Sequence, residues 1–158
     1  MSPFSLPIPP ALEPFAQVRC EVGPVVSLGH APQGERRYVQ LLGGSVEGPG
    51  LHGEVVSGGV DWQVSRPDNA LDIDAHYVIR TPDGALIEVR SQGLRHGPAA
   101  VLERLMRGEA VARHEYFFRT LMRFTTGHPA WEHLNRTMCL AVGQREARQV
   151  VLDVYQIG

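Results

Sequence analysis

Asp72, Asp74 and His76 stand at alternate positions, so any strand running through them carries two carboxylates and an imidazole on one face, about 7 Å apart per step. A carboxylate beside an imidazole suits general acid–base work, with Asp74 moving a proton and His76 assisting. The same side chains suit zinc, manganese or iron. A metal site needs further ligands, however, and the chain has no His-Glu-x-x-His, Cys-x-x-Cys or His-x-His. No metal and no cofactor is therefore expected.

A second group follows the glycines Gly58 and Gly59. Asp61 there is a candidate proton acceptor, since apolar surroundings raise a carboxyl pKa, and Trp62 is a candidate flat wall for a ligand. The plainer alternative is a packed tryptophan beside a turn-capping aspartate. Arg66 and Arg119 lie in strand-like runs next to aromatic residues, where a guanidinium fork could hold carboxylate, phosphate or enolate oxygens. The alternative for each is an internal ion pair with Asp61, Asp74 or Asp153. Tyr77, Tyr116 and Asn135 could complete a polar lining, or serve as core tyrosines and a helix cap.

The elements that must position these residues are short strands. Glycine (17) and proline (12) fall as punctuation between apolar stretches. Turns are expected at Gly23-Pro24, Gly43-Gly44, Gly48-Pro49-Gly50, Gly58-Gly59, Pro82-Asp83-Gly84 and Gly143. The strongest local signal is a hairpin of residues 75–81 and 85–92 about the Asp83-Gly84 pair. Further strands are expected at 16–22, 37–42, 53–56, 60–66, 113–124, 138–142 and 150–157, with helices at 98–107 and 129–136. About eight to ten short strands with one or two short helices predict a mainly β protein, an antiparallel β-barrel, since closure removes exposed strand edges. Alternation leaves two readings of the charged strand faces: a polar lumen that holds a ligand, or a solvated outer surface laced by cross-strand pairs.

Composition narrows the function. With 158 residues and 43% hydrophobic content, the chain is expected to form a single domain over residues 15–158, after a proline-rich arm at 1–14. All 15 basic residues are arginine, which excludes a Schiff-base lysine, a P-loop lysine and a lysine general base. A net charge of −2 without a basic run argues against nucleic acid and anionic membranes as partners. The N-terminal stretch has prolines at 3, 7, 9, 10 and 14 and no apolar run, so a cytoplasmic location is expected, with Cys20 and Cys139 free. The chain has no Gly-x-Ser-x-Gly elbow and no Gly-x-Gly-x-x-Gly.

Several motifs in order and spacing resemble the DUF3237 family: Gly58 through Gln63, Arg66-Pro67-Asp68, Asp74-Ala75-His76-Tyr77, Asp83-Gly84-Ala85, Tyr116 through Thr120, Phe124-Thr125-Thr126, and Pro129 through Arg136. The resemblance runs from about Glu13 onward. It implies a closed or nearly closed antiparallel barrel of small bacterial and fungal proteins, and it implies no reaction. One departure is Ala75-His76-Tyr77, where the family carries Ala-Arg-Tyr. The expectation is a small-molecule-binding barrel acting without a cofactor as an isomerase, cyclase or lyase on an oxygenated organic substrate, with Asp61, Asp74, His76 and Arg119 catalytic. Trp62, Arg66, Tyr77, Tyr116 and Asn135 would bind the ligand. The alternatives are a non-catalytic carrier of small ligands and a structural or oligomerisation module, and a homo-oligomer is compatible with all three.

Overall fold

The computed structural model describes residues 3–158; Met1 and Ser2 of the expected arm lie outside the described residues. Nine antiparallel strands run in the order β1 (Leu12–Ala31), β2 (Gly34–Glu47), β3 (Gly53–Val55), β4 (Gly59–Ser65), β5 (Leu71–Arg80), β6 (Leu86–His96), β7 (Phe117–Thr125), β8 (Met138–Arg145) and β9 (Gln149–Ile157). Strands β5 to β9 pair in sequence, β9 pairs with β1, and β1 pairs with β2. The short β3 and β4 both bridge β2 and β5, which closes the sheet into a ring. Among the described residues no helix is long and apolar enough to cross a membrane.

Period-two alternation drives this closure. In β5, Leu71, Ile73, Ala75, Tyr77 and Ile79 are all buried, while the residues between them face outward. The expected hairpin forms, with Arg80 opposite Leu86 and a loop closed by the Thr81 N–H donating to the Ala85 carbonyl at 3.0 Å. Gly84 takes φ +85° there.

Three glycine sites read as turns lie inside strands, among them Gly143 in the middle of β8, where the missing Cβ makes room for the Phe118 ring. Gly23-Pro24 sits at a register shift within β1, and Gly43-Gly44 at the point where β2 changes partner from β4 to β3. The reason is curvature: a long strand must bend to close a barrel, and bulges and glycines permit it. A Cβ at Gly44 would lie 1.8 Å from the Arg19 carbonyl oxygen, so close backbone approach excludes any other residue.

Helix α1 (Ala99–Met106) connects β6 to β7 and ends at Gly108, φ +75°. Residues 113–115, read as the start of a strand, form a 3-10 turn instead, held by the Ala112 N–H donating to Glu115 Oε2 at 3.1 Å. Residues 129–136 form joined 3-10 turns rather than an α-helix. Trp131 breaks the helical path (φ −120°, ψ 15°), and its indole N–H reaches across to Asp83 Oδ2 at 3.1 Å.

The two ends of the barrel differ. At one end, which we call the floor, Val46, Leu51, Ile79, Ile87, Val89, Met122, Leu134 and Cys139 are fully buried and pack solidly. The opposite end carries the β1–β2, β4–β5 and β8–β9 turns together with α1, and it opens into a cavity of about 410 Å³.

Candidate functional site

Register arranges the inward side chains of β2, β4, β5 and β6 in rungs. Counting from the floor, Ile79 faces Ile87; then come Leu41, Gly59, Tyr77 and Val89; then Val39, Asp61, Ala75 and Ser91; then Arg37, Gln63, Ile73 and Gly93; and at the mouth Glu35, Leu71 and Arg95. Thus β2, β4 and β6 turn from apolar to polar as they approach the mouth, while β5 stays apolar as far as Leu71. Strand β8 repeats the pattern with Cys139, Ala141, Gly143 and Arg145, and Arg145 lies opposite Val150 of β9. Gly143 leaves room for the Phe118 ring, which a Cβ there would meet at 2.6 Å.

Within the cavity, Gln63 Nε2 donates to Asp61 Oδ2 at 2.7 Å, and Arg37 Nε donates to Gln63 Oε1 at 2.8 Å. Asp61 Oδ1 is cut off from solvent and has no hydrogen-bond partner among the described residues. Burial pushes the Asp61 carboxyl up to about 6, partly offset by the Gln63 hydrogen bond. Burial also pulls the Arg95 guanidinium down to about 10, with Arg37 and Arg145 adding like-charge repulsion. Arg37 and Arg145 are lowered as well, first by burial. Among the described residues none of these three arginines is in an ion pair, and Arg95 Nε is a buried donor without an acceptor. The rest of the lining is mostly apolar, including Val18, Val39, Ile73, Phe118 and Leu152. Cys20 and Cys139 are free and buried, and burial raises the Cys20 thiol in the lining to about 11.

The residues singled out from the sequence divide by face. Asp61 and Tyr77 line the cavity, and the buried Tyr77 hydroxyl has no hydrogen-bond partner among the described residues. Burial pushes its phenol upward. Tyr116 is buried at the mouth, its hydroxyl accepting from the Arg145 backbone N–H at 2.9 Å. The others lie elsewhere. Asp74 accepts from Arg90 (3.0 and 3.1 Å) and His76 meets Glu88 (2.6 Å), both on the outer face of β5 and β6. Trp62 packs outside against Tyr38, ring centroids 5.2 Å apart, with the Arg36 guanidinium 4.9 Å above it. Arg66 pairs with Asp68 and Asp72 at the β4–β5 turn. Arg119 lies over the exposed Phe117 ring at 5.2 Å, and Asn135 ties Thr126 to the 129–136 segment beyond the floor. Among the described residues no group of three or more His, Cys, Asp or Glu side chains is placed to hold a metal.

Arg37, Arg95 and Arg145 were missed from the sequence, although each is in phase with apolar neighbours. Arg37 is two residues from Val39, Arg95 continues the series Ile87, Val89, Ser91, Gly93, and Arg145 continues Cys139, Ala141, Gly143. The expected strands stopped at 92 and 142, short of two of them.

Fold and site together define a closed antiparallel barrel with a packed floor and a hollow, arginine-lined mouth. The chain belongs to the DUF3237 family, described as proteins of unknown function, whose model matches residues 10–157. It is 39% identical to a UPF0311 protein of Rhodopseudomonas palustris over 140 residues, 89% of this chain and 92% of that one. A crystal structure described as a beta-barrel like protein from Acinetobacter baumannii superposes with a TM-score of 0.83 at 35% identity, covering 97% of this chain and 99% of that one. A hydroalkoxylation enzyme of Penicillium herquei is 34% identical over 85 residues, 54% of this chain and 56% of that one.

Proposed function

We propose that this protein is a cofactor-independent enzyme that moves a proton on an oxygenated organic substrate held in the barrel lumen, with Asp61 as the proton-transfer group. The observation that carries this reading is a carboxyl group buried in a mostly apolar lining, fixed through one oxygen by Gln63, with its other oxygen unpaired among the described residues and its pKa pushed up to about 6. A base of that pKa is largely ionised at neutral pH and still returns its proton readily. Asp74 and His76, paired on the outer face, are not part of this chemistry.

Similarity to a hydroalkoxylation enzyme over about half the chain favours ring closure by addition of O–H across a double bond. For a hydroxy-enone, Asp61 takes the hydroxyl proton and the oxygen bonds to the far alkene carbon. The electron pair shifts onto the carbonyl oxygen, where the charge of the enolate meets the arginines above Asp61. The proton then passes from Asp61 to the neighbouring carbon, so the net change is an isomerisation with every atom retained.

The test is a panel of hydroxy-enones that close to five- or six-membered cyclic ethers, beginning with 2′-hydroxychalcone, followed by absorbance and by calorimetric binding. Wild-type protein should cyclise at least one member, and Asp61→Asn should lose at least about 100-fold in rate, the usual scale of a positioned acid–base group, while keeping its fold. Binding without turnover would overturn the enzyme reading in favour of a carrier. Absence of both would remove the lumen as a ligand site.

A further inference from the structure

Arg37, Arg95 and Arg145 converge on one end of the cavity, and their mutual repulsion contributes to the lowered pKa of Arg95 and Arg145. Two carboxylates share the lining with them. Glu35 sits at the hairpin accepting from Ser27 Oγ at 2.8 Å, and Asp61 lies two rungs below Arg95. Three guanidiniums against two carboxylates leave one positive charge over. A partly buried cluster with one positive charge in excess is unfavourable, and an incoming anion relieves it. A barrel stabilised only by its core has no use for such a cluster, and the other buried rungs carry no arginine.

We infer that the lumen takes an amphipathic carboxylate, its head held by Arg95 and Arg145 at the mouth and its apolar body lying past Asp61 toward Tyr77. This rests on the lumen being the ligand site, and it adds the substrate's charge and its direction of entry. The planar guanidinium fork matches a carboxylate's two oxygens, and the buried Arg95 Nε supplies a donor that no other described residue satisfies. The rest of the lining includes Ala75, Tyr77, Val18, Leu152 and, directly opposite Arg95, Phe118, and it suits a flat or branched hydrocarbon body. Held this way, the body of the ligand passes the Asp61 carboxyl, and the arginines stand where charge develops on a carbonyl oxygen.

The probe pair is 2-naphthoate and its neutral counterpart 2-naphthalenemethanol, titrated calorimetrically into the full chain at pH 7.5. Wild-type protein should bind the naphthoate at least about tenfold more tightly, the equivalent of one modest charge-assisted interaction. Arg95→Gln should reduce that preference to about threefold or less, Arg145→Gln should act in the same direction, and the outer-face variant Arg123→Gln should leave it unchanged; melting curves establish that each variant is folded. Asp61→Asn, which removes a negative charge from the lumen, should tighten naphthoate binding rather than weaken it. Equal binding of the two probes, or a preference indifferent to both arginines, would overturn the inference while leaving the lumen as a site. Binding of neither probe would overturn the inference and the underlying reading together.

Discussion

The floor and the mouth of this barrel are built from the same strands and obey opposite rules. On β5 and β6 the facing pair Ile79 and Ile87 is completely buried, whereas four rungs along the same two strands Leu71 faces Arg95, a guanidinium with an unpaired buried donor. The floor fills its volume with Leu51, Met122, Leu134 and Cys139. The mouth leaves about 410 Å³ open and surrounds it with charge. Close packing concentrated at one end supplies stability that tolerates unfavourable charge at the other, the division expected when a site must be pre-organised on a rigid scaffold.

The largest effect that tests this division is in the floor. Ile79→Ala should cost about 2 to 5 kcal/mol, as large-to-small substitutions in packed cores do, and lower the melting temperature by roughly 2 to 4 °C for each kcal/mol in a domain of this size. Binding of 2-naphthoate at 25 °C should be retained. A floor substitution that abolished binding without lowering the melting temperature would break the comparison.

The next effect is in the mouth and has the opposite sign. Because burial raises the Asp61 pKa from 3.8 to about 6, the folded protein holds this proton more tightly than the unfolded chain does. Ionisation of Asp61 therefore opposes folding: the penalty is absent below about pH 3.8, grows through the interval, and is fully present above about pH 6. Asp61→Asn, which keeps an oxygen for the Gln63 donor, should be more stable than wild type at pH 8 by about 1 to 3 kcal/mol, given roughly 1.4 kcal/mol per pKa unit. The gap should narrow as the pH falls toward 4. Urea denaturation of both proteins at pH 8 and pH 4.5 measures it. A less stable variant at pH 8 would show that the arginines hold Asp61 as a structural ion, which would make the mouth a network rather than a site.

The smallest effect is on the outer surface. Arg90→Gln removes a well-formed but exposed pair with Asp74, and exposed pairs contribute little. The denaturation midpoint and naphthoate binding should both stay within experimental error. Loss of binding in this variant would move the site from the lumen to the outer face of β5 and β6.

How much of this was legible in the chain follows from distance. The 81–85 turn was readable because proline, aspartate and glycine specify it locally, and β5 because its alternation is unbroken over ten residues. The interior of β1 was harder. Its bulge near Gly23-Pro24 imitates a turn, and only the demand for closure explains why the strand continues. At the site, Asp61 and Tyr77 were identified from their own neighbourhoods. Asp74 and His76 looked equally chemical, since a strand's two faces carry no local mark of which is inside. Arg95 and Arg145 sit past the strand ends that propensity suggested, and their meeting with Arg37 joins positions far apart in sequence.

By itself, the sequence determined that the chain is mainly β, that it closes as an antiparallel barrel, and that lysine chemistry is absent, because composition, alternation and turn residues act over a few positions. Only the tertiary structure decided which faces look inward, which end of the barrel is hollow, and which arginines stand above Asp61. Those are consequences of register and closure, set by pairing between strands that no local stretch of the sequence contains.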